Sequence, residues 1–163
     1  MRILWAPWRS GYVEKVDEQE GCFLCDAARA DQQRHRELLV LHVGRRAFVI
    51  FNKYPYNAGH LMVAPVDHIG DFLKLDEETA LEIHTLTQKA IRVLKEVLRP
   101  HGFNLGYNLG RSAGAGLEDH LHLHIVPRWN GDTNFMPVTA NTKVISQDLW
   151  DLYDRLKPVW DKC

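Results

Sequence analysis

Between Asp119 and Pro127 the chain reads DHLHLHIVP, with polar and apolar residues in strict alternation from His120 to Ile125. A period of two fits a β-strand, whose side chains leave on opposite faces, and does not fit a helix, which repeats every 3.6 residues. A strand over Leu121 to Val126 sends Leu121, Leu123 and Ile125 to one side and His120, His122 and His124 to the other. The apolar set needs a core to enter. The imidazoles then stand in a row, about 7 Å apart from one alternate residue to the next. A chain carrying this segment must build a sheet with one face buried and three titratable rings on the other.

The rest of the sequence supplies partners for such a strand. Leu38–Val43 and Ala47–Phe51 are rich in β-formers, and Gly44-Arg45-Arg46 between them suits a hairpin. Asn57-Ala58-Gly59 precedes a third strand, His60–Ala64, which Pro65 ends, and Phe103–Leu109 reads as another. Asp76–Leu98 is predicted as a helix, with Asp76 as N-cap, Glu77 and Glu78 in the first turn and Pro100 as the stop. Within it Ile83, Leu86, Ala90, Leu94 and Val97 form one apolar stripe. Ser146–Trp160 reads as a second helix broken by Pro158, and Val13–Arg36 as loop with a short helical piece. Strands in hairpins with segregated helices predict an α+β domain: a five-stranded, mostly antiparallel sheet, a long helix and a C-terminal helix. No linker or solenoid-length repeat interrupts residues 1–163, so one domain is expected, with a segment 1–37 carrying a Cys pair.

Charge and apolar patterning exclude some functions. Twenty basic and 21 acidic residues leave a formal charge of −1, which argues against gripping a nucleic-acid polymer through its phosphates while permitting a small anion in a local pocket. The apolar runs Leu38–Leu41, Phe48–Phe51 and Leu61–Pro65 are far short of the ~20 residues that span a bilayer. The opening MRILWAPWRSGYVEK lacks the clean apolar stretch of a secretory signal, and three cysteines do not make a disulfide scaffold. A cytoplasmic protein with no membrane association is expected.

Three imidazoles in a row suit nucleophilic attack, proton transfer or metal binding near neutral pH. The bland alternative is a solvated polar strand face. Gly110-Arg111-Ser112-Ala113-Gly114-Ala115-Gly116 precedes the row, and small residues there let backbone N–H groups converge on an anion, with Arg111 and Ser112 as further donors. Such loops are common between strands. Beside the histidines, this one suggests a phosphate held within reach of an imidazole.

His-φ-His-φ-His-φ-φ, where φ is apolar, resembles the signature of the histidine triad superfamily of nucleotide hydrolases and transferases, and His120–Val126 matches it throughout. LWAPWRSGYV, NKYPYNAGHLMVAP, RPHGFNLGYNLGRSAG and HLHLHIVPRWNGDTNF resemble the bacterial diadenosine tetraphosphate phosphorylase (ATP adenylyltransferase) branch. The resemblance implies a HIT-like fold and a homodimer in which two five-stranded sheets join. It also implies cleavage of dinucleoside polyphosphates or related adenine nucleotides, with His122 attacking the α-phosphorus to give a nucleotidyl-histidine. His124 would contact the phosphate and position His122, and Asn52 would hold ribose. Phe48 and Phe51 are candidates for the base pocket or plain core, and Gly114 belongs to the phosphate loop. Rival readings are hydrolysis of adenosine phosphoramidates or aminoacyl-adenylates, and a non-catalytic nucleotide-binding partner protein. Many triad proteins carry a polar residue four before the first histidine; here it is Gly116, so leaving-group assistance falls to Ser112, Arg111 or loop backbone.

Cys22-Phe23-Leu24-Cys25 is a C-x-x-C pair. It reads as half of a tetrahedral zinc site, as a redox pair without the βαβ context of one, or as two small buried residues. Some triad proteins complete a zinc site with a histidine after the third strand and the first of the triad, which implies His68 and His120 here. His35, His42, His84 and His101 read as structural or surface, while His60, after Gly59, is placed to support the site. Trp5, Trp8 and Trp129 read as core or dimer contacts, and Cys163 as an exposed thiol.

Overall fold

The computed structural model describes residues 21–132 and 147–163. Trp5, Trp8, LWAPWRSGYV and the first part of segment 1–37 lie outside the described residues. Five strands, β1 (Val40–Val43), β2 (Ala47–Phe51), β3 (Leu61–Pro65), β4 (Gly102–Tyr107) and β5 (Leu123–Arg128), form one sheet in the order β1-β2-β3-β5-β4. Every pairing is antiparallel. Among the described residues the α-helices are α1 (Phe23–Ala28), α2 (Glu77–Leu98) and α3 (Leu149–Lys162). The α+β expectation holds.

The sheet buries both faces, unequally. On one side Val49, Phe51, Leu61, Val63 and Ile125 meet Ile83, Ala90, Val93 and Leu94 of α2 and Leu152, Tyr153, Leu156 and Trp160 of α3 in the main core. On the other, Val40, Phe48, Ile50, Met62 and Ala64 lie beneath Leu24, Ala27 and Ala28 of α1. A six-residue helix has no stability of its own, so α1 persists through this packing and through what its cysteines hold. Fully buried strands such as β2 carry no polar–apolar alternation, which hides from the sequence which face a side chain takes.

The ends of α2 follow local chemistry. Asp76 Oδ1 accepts from the Thr79 backbone N–H at 3.0 Å and Oδ2 from the Thr79 hydroxyl at 2.6 Å, a side-chain N-cap. These bonds to the charged form hold the Asp76 carboxyl below its ordinary value. At the far end Pro100 disfavours helical dihedrals in the residue before it, and Arg99 turns left-handed at φ 49°. Gly59, at φ 74°, packs so closely under α2 that a Cβ would lie 2.5 Å from Leu98 Cδ1. That contact explains the small residue just before β3.

Two sequence expectations are corrected. α3 is not broken at Pro158 but runs through it to Lys162. Proline there forfeits a single helical bond, to the carbonyl of exposed Asp154, and Trp160, 1% exposed, anchors the final turn in the core. The last strand is Leu123–Arg128, two residues later than Leu121–Val126. The β3–β5 ladder stops at Val63–Leu123 because continuing it would set Leu121 against Pro65, which has no N–H to give. Among the described residues no helix is long and apolar enough to cross a membrane.

Candidate active site and metal cluster

His124 pairs with Met62 across the sheet, so the triad occupies the face covered by α1, opposite α2 and α3. His120 and His122 lie in the segment just before β5, His122 with its ring against His124 and His120 against the cysteines that flank and enter α1. All three are buried. The rings of His122 and His124 meet edge to face, 4.9 Å between centroids.

The heavy-atom network assigns the protons of the neutral rings. His122 Nδ1 lies 2.8 Å from the carbonyl oxygen of His120 and must donate to it, which leaves the lone pair on Nε2. Burial pushes the His122 pKa down, with the bond to the His120 carbonyl opposing, so the ring favours the neutral form with that lone pair. For His124 the chain starts at Tyr56, whose backbone N–H donates to His60 Nδ1 at 3.0 Å. His60 Nε2 therefore carries hydrogen and donates to His124 Nδ1 at 2.9 Å. His124 in turn holds its proton on Nε2; Asn108 Nδ2, 3.5 Å away, is itself a donor, so the two N–H groups stand side by side, unbonded to each other and aimed at the same place. Adjacent rings thus present opposite functions, a lone pair on His122 and a donor on His124. His60 is fully buried and joins both the relay and Asn52, whose Nδ2 lies 3.4 Å from His60 Nδ1.

His124 lines a cavity of about 340 Å³ together with Asn108, Tyr56, Asn104 and Arg128. Its far wall is braced by Asp132, which accepts from Arg128 Nε at 2.6 Å, Asn57 Nδ2 at 2.7 Å and the Trp129 N–H at 3.2 Å. Asn57 also donates to the Pro127 carbonyl, tying the turn before β3 to the end of β5. The Arg128 guanidinium, then these further donors, hold the Asp132 carboxyl far below the usual range. A depressed pKa contributes stability above the unfolded value near pH 3.9, and loses it as pH falls towards the folded one. Asp132→Asn is expected to cost about 2 kcal/mol at pH 7, a charged hydrogen-bond hub being removed. The gap from wild type should begin to narrow at about pH 4 and shrink steadily as pH falls further, and urea unfolding across that range measures it.

The other sequence candidates divide. Gly114, left-handed at φ 90°, has its carbonyl 3.5 Å from Asn108 Nδ2, so the loop reaches the triad. Arg111 and Ser112 lie exposed in the 3-10 turn Arg111–Ala113, with Arg111 Nε 3.6 Å from Glu118. Asn52 is half-buried at the end of β2, its Oδ1 taking the Tyr54 N–H. The base-pocket expectation is corrected. Phe51 faces the main core, 2% exposed and 6.1 Å from the Tyr153 ring, on the wrong side of the sheet. Phe48 shares the histidine face but is fully buried beneath α1. Asn108 was invisible as a site residue: it lies two residues beyond Gly106, which pairs with His124, yet sequence spacing does not reveal a register across the 15-residue connection between β4 and β5.

Cys22, Cys25, His68 and His120 converge, their donor atoms all within 4.8 Å of one another. Cys22 Sγ and His120 Nδ1 are 3.2 Å apart, Cys25 Sγ and His68 Nδ1 3.2 Å, and Cys25 Sγ and His120 Nδ1 3.5 Å. A tetrahedral zinc centre would put such sulfur–nitrogen pairs about 3.5 Å apart. His120 Nε2 donates to the Pro65 carbonyl at 2.8 Å, so Nδ1 offers its lone pair to the cluster. Burial, and then the neighbouring Cys22, raise the Cys25 thiol pKa, which a bound cation would reverse. The donor set fits a four-coordinate metal.

Comparison with known proteins agrees with this geometry. The HIT domain family model matches residues 36–131. An AP-4-A phosphorylase of Mycobacterium tuberculosis is 41% identical over 165 residues, covering 98% of this chain and 85% of its own. A hypothetical histidine triad nucleotide-binding protein of Sulfolobus tokodaii superposes with a TM-score of 0.66 at 26% identity, over 86% of this chain and 93% of that one. A zinc-bound histidine triad family protein of Mycobacterium smegmatis has the same fold, with a TM-score of 0.67 at 23% identity over 87% and 94% of the two chains. The alternating histidines, the sheet that carries them and near-full-length similarity to a phosphorylase have one common explanation, and the chain belongs to the HIT domain family.

Proposed function

We propose that the chain is an enzyme that cleaves dinucleoside polyphosphates such as diadenosine tetraphosphate through a nucleotidyl-histidine on His122. The observation that carries the reading is the hydrogen-bond geometry of the two adjacent rings, from which a lone pair on His122 Nε2 and a donor on His124 Nε2 follow. Attack by Nε2 on the α-phosphorus forms a P–N bond and breaks the P–O bond to the leaving nucleotide. Phosphate or water then attacks the same phosphorus, breaks the P–N bond and returns the electron pair to Nε2. His124, backed by His60, and Asn108 meet the non-bridging oxygens. Fixed donors of this kind stabilise charge without reorganising. Asn52 is assigned to ribose, and Arg111, Ser112 and the loop at Gly114 to the polyphosphate chain. The 41% identity to the M. tuberculosis phosphorylase favours phosphate as acceptor.

In the same reading Cys22, Cys25, His68 and His120 hold one zinc ion. Four protein ligands leave it no open position, so the metal supplies structure rather than a reactive water. A homodimer would join the sheets through β4, an edge strand whose Leu105 is 50% exposed.

The test is a product assay. Diadenosine tetraphosphate with phosphate should give ADP and ATP in equal amounts, and without phosphate AMP and ATP at a lower rate. Two ADP would place the cut away from the α-phosphorus and overturn the mechanism. Faster turnover of an adenosine phosphoramidate or aminoacyl-adenylate would reassign the substrate class. Tight nucleotide binding without turnover would make the protein a binder.

A further inference from the structure

The nucleophile proposed above lies outside the sheet that carries the triad. Ladder pairing of β5 ends at Leu123 on both sides, against Val63 of β3 and Tyr107 of β4. His122, and the His120 carbonyl that fixes its tautomer, sit in the segment before it. What holds that segment is the end of β3 and the loop that follows it, residues 65–70. The Leu121 N–H donates to the Ile69 carbonyl at 2.7 Å. The His120 ring donates to the Pro65 carbonyl, and His68 joins His120 in the cysteine cluster. Gly70 lies flat against Asp119: a Cβ there would fall 2.7, 2.8 and 2.9 Å from the Asp119 Cα, carbonyl carbon and carbonyl oxygen. Those are backbone atoms, which cannot swing aside as a side chain can. The chain on both sides of His120 is thus clamped by one short loop.

We propose that the loop 65–70, seated on Asp119 through Gly70, is the positioning element for the nucleophile: it sets the His120 carbonyl that selects the Nδ1–H tautomer of His122. Gly70 and the Ile69 carbonyl act through His120 and touch no substrate. The inference rests on the reading of His122 as nucleophile, and it assigns the cluster residue His68 a second task, holding this loop against the segment as well as closing the metal site. The selection is geometric. If the carbonyl moves by about 1 Å, the Nδ1–H loses its acceptor, the two neutral tautomers mix, and the lone pair is no longer confined to Nε2.

The experiment uses the full chain as isolated, labelled with ¹⁵N-histidine, and compares wild type, Gly70→Ala and Gly102→Ala. Gly102 is the control, since a Cβ there meets nothing within 4 Å. The His122 signals are identified by their loss in His122→Gln. Wild type and Gly102→Ala should show a protonated Nδ1 and an unprotonated Nε2 on His122, with equal kcat. Gly70→Ala should show mixed tautomers and a kcat lower by about 10²-fold, the scale of a 1 Å misplacement, with KM within about twofold. A folded Gly70→Ala protein with the wild-type His122 spectrum overturns the proposal, as does an altered spectrum with unchanged kcat. Should Gly70→Ala not fold, Ile69→Gly, which loosens the same loop without removing a cluster residue, replaces it, and the same two results would overturn the proposal. If the wild type cleaves no dinucleoside polyphosphate, the functional reading fails, while the spectrum of His122 still decides whether this loop selects its tautomer.

Discussion

His122→Ala is expected to lose at least about 10⁴-fold in turnover of diadenosine tetraphosphate and to trap no nucleotide on the protein, because the step it removes forms the covalent bond. In wild type, substrate labelled at the α-phosphorus and quenched in acid-free denaturant should leave label on one histidine-containing peptide, the one spanning residue 122. The local structure explains why no neighbour can substitute. His120 commits Nε2 to the Pro65 carbonyl and Nδ1 to the cysteine cluster. His124 accepts the hydrogen bond from His60 Nε2–H at Nδ1 and so presents N–H, not a lone pair, on its other nitrogen. One ring of the three is left with a lone pair available for attack. A folded His122→Ala protein that retains full turnover, with wild-type protein never labelled, would overturn the covalent route. Far-ultraviolet circular dichroism of the variant separates loss of chemistry from loss of fold.

The same contrast shows what could be read from the residues alone. The triad's face was legible because alternation in a half-polar strand is itself the signal: His120, His122 and His124 do share one side. The C-x-x-C pair, His68 and His120 were nameable from the resemblance, and the donor atoms do meet. β2 offered no such signal. With all five residues buried, Phe48 and Phe51 carry no polar counterpart to show that an odd spacing puts them on opposite faces. His60 stood out by its place after Gly59, but its part in fixing the proton on His124 depends on a 2.9 Å contact across 64 residues of sequence. Asn108, Asp132 and Arg128 belong to the same class. Their meaning comes from the β4–β5 register and from the turn at Asn57, neither of which is a local property of the chain. The run through Pro158 is the reverse case, where tertiary burial of Trp160 overrides a local helix breaker.

Protein purified without added metal is expected to contain about one zinc per chain, and Cys25→Ser to lose it together with much of the stability. The dependence begins at α1. Six residues cannot hold a helix, and the cluster it packs into includes Phe48 and Ile50 of β2, both buried. Leu24, Ala27 and Ala28 supply apolar contact, but the chain enters this helix from Cys22, and what ties that entrance down is the cluster with His68 and His120. Without a cation, burial raises the Cys25 pKa and lowers that of His120, so this pair favours its neutral forms, and the cluster contributes only weak sulfur–nitrogen hydrogen bonds. With one, binding free energy becomes folding free energy; structural zinc in small peptides is worth about 10–16 kcal/mol, of which a preformed sheet would need only part. A loss above about 4 kcal/mol is therefore expected for Cys25→Ser, a fall of roughly 10 °C or more in Tm at this chain length. Wild-type protein stripped by a strong chelator should melt where the variant does, and return on adding zinc, while the variant should not respond. Wild type isolated free of metal, with a Tm that neither chelator nor Cys25→Ser changes, would show that packing under α1 suffices and that the four residues meet for another reason.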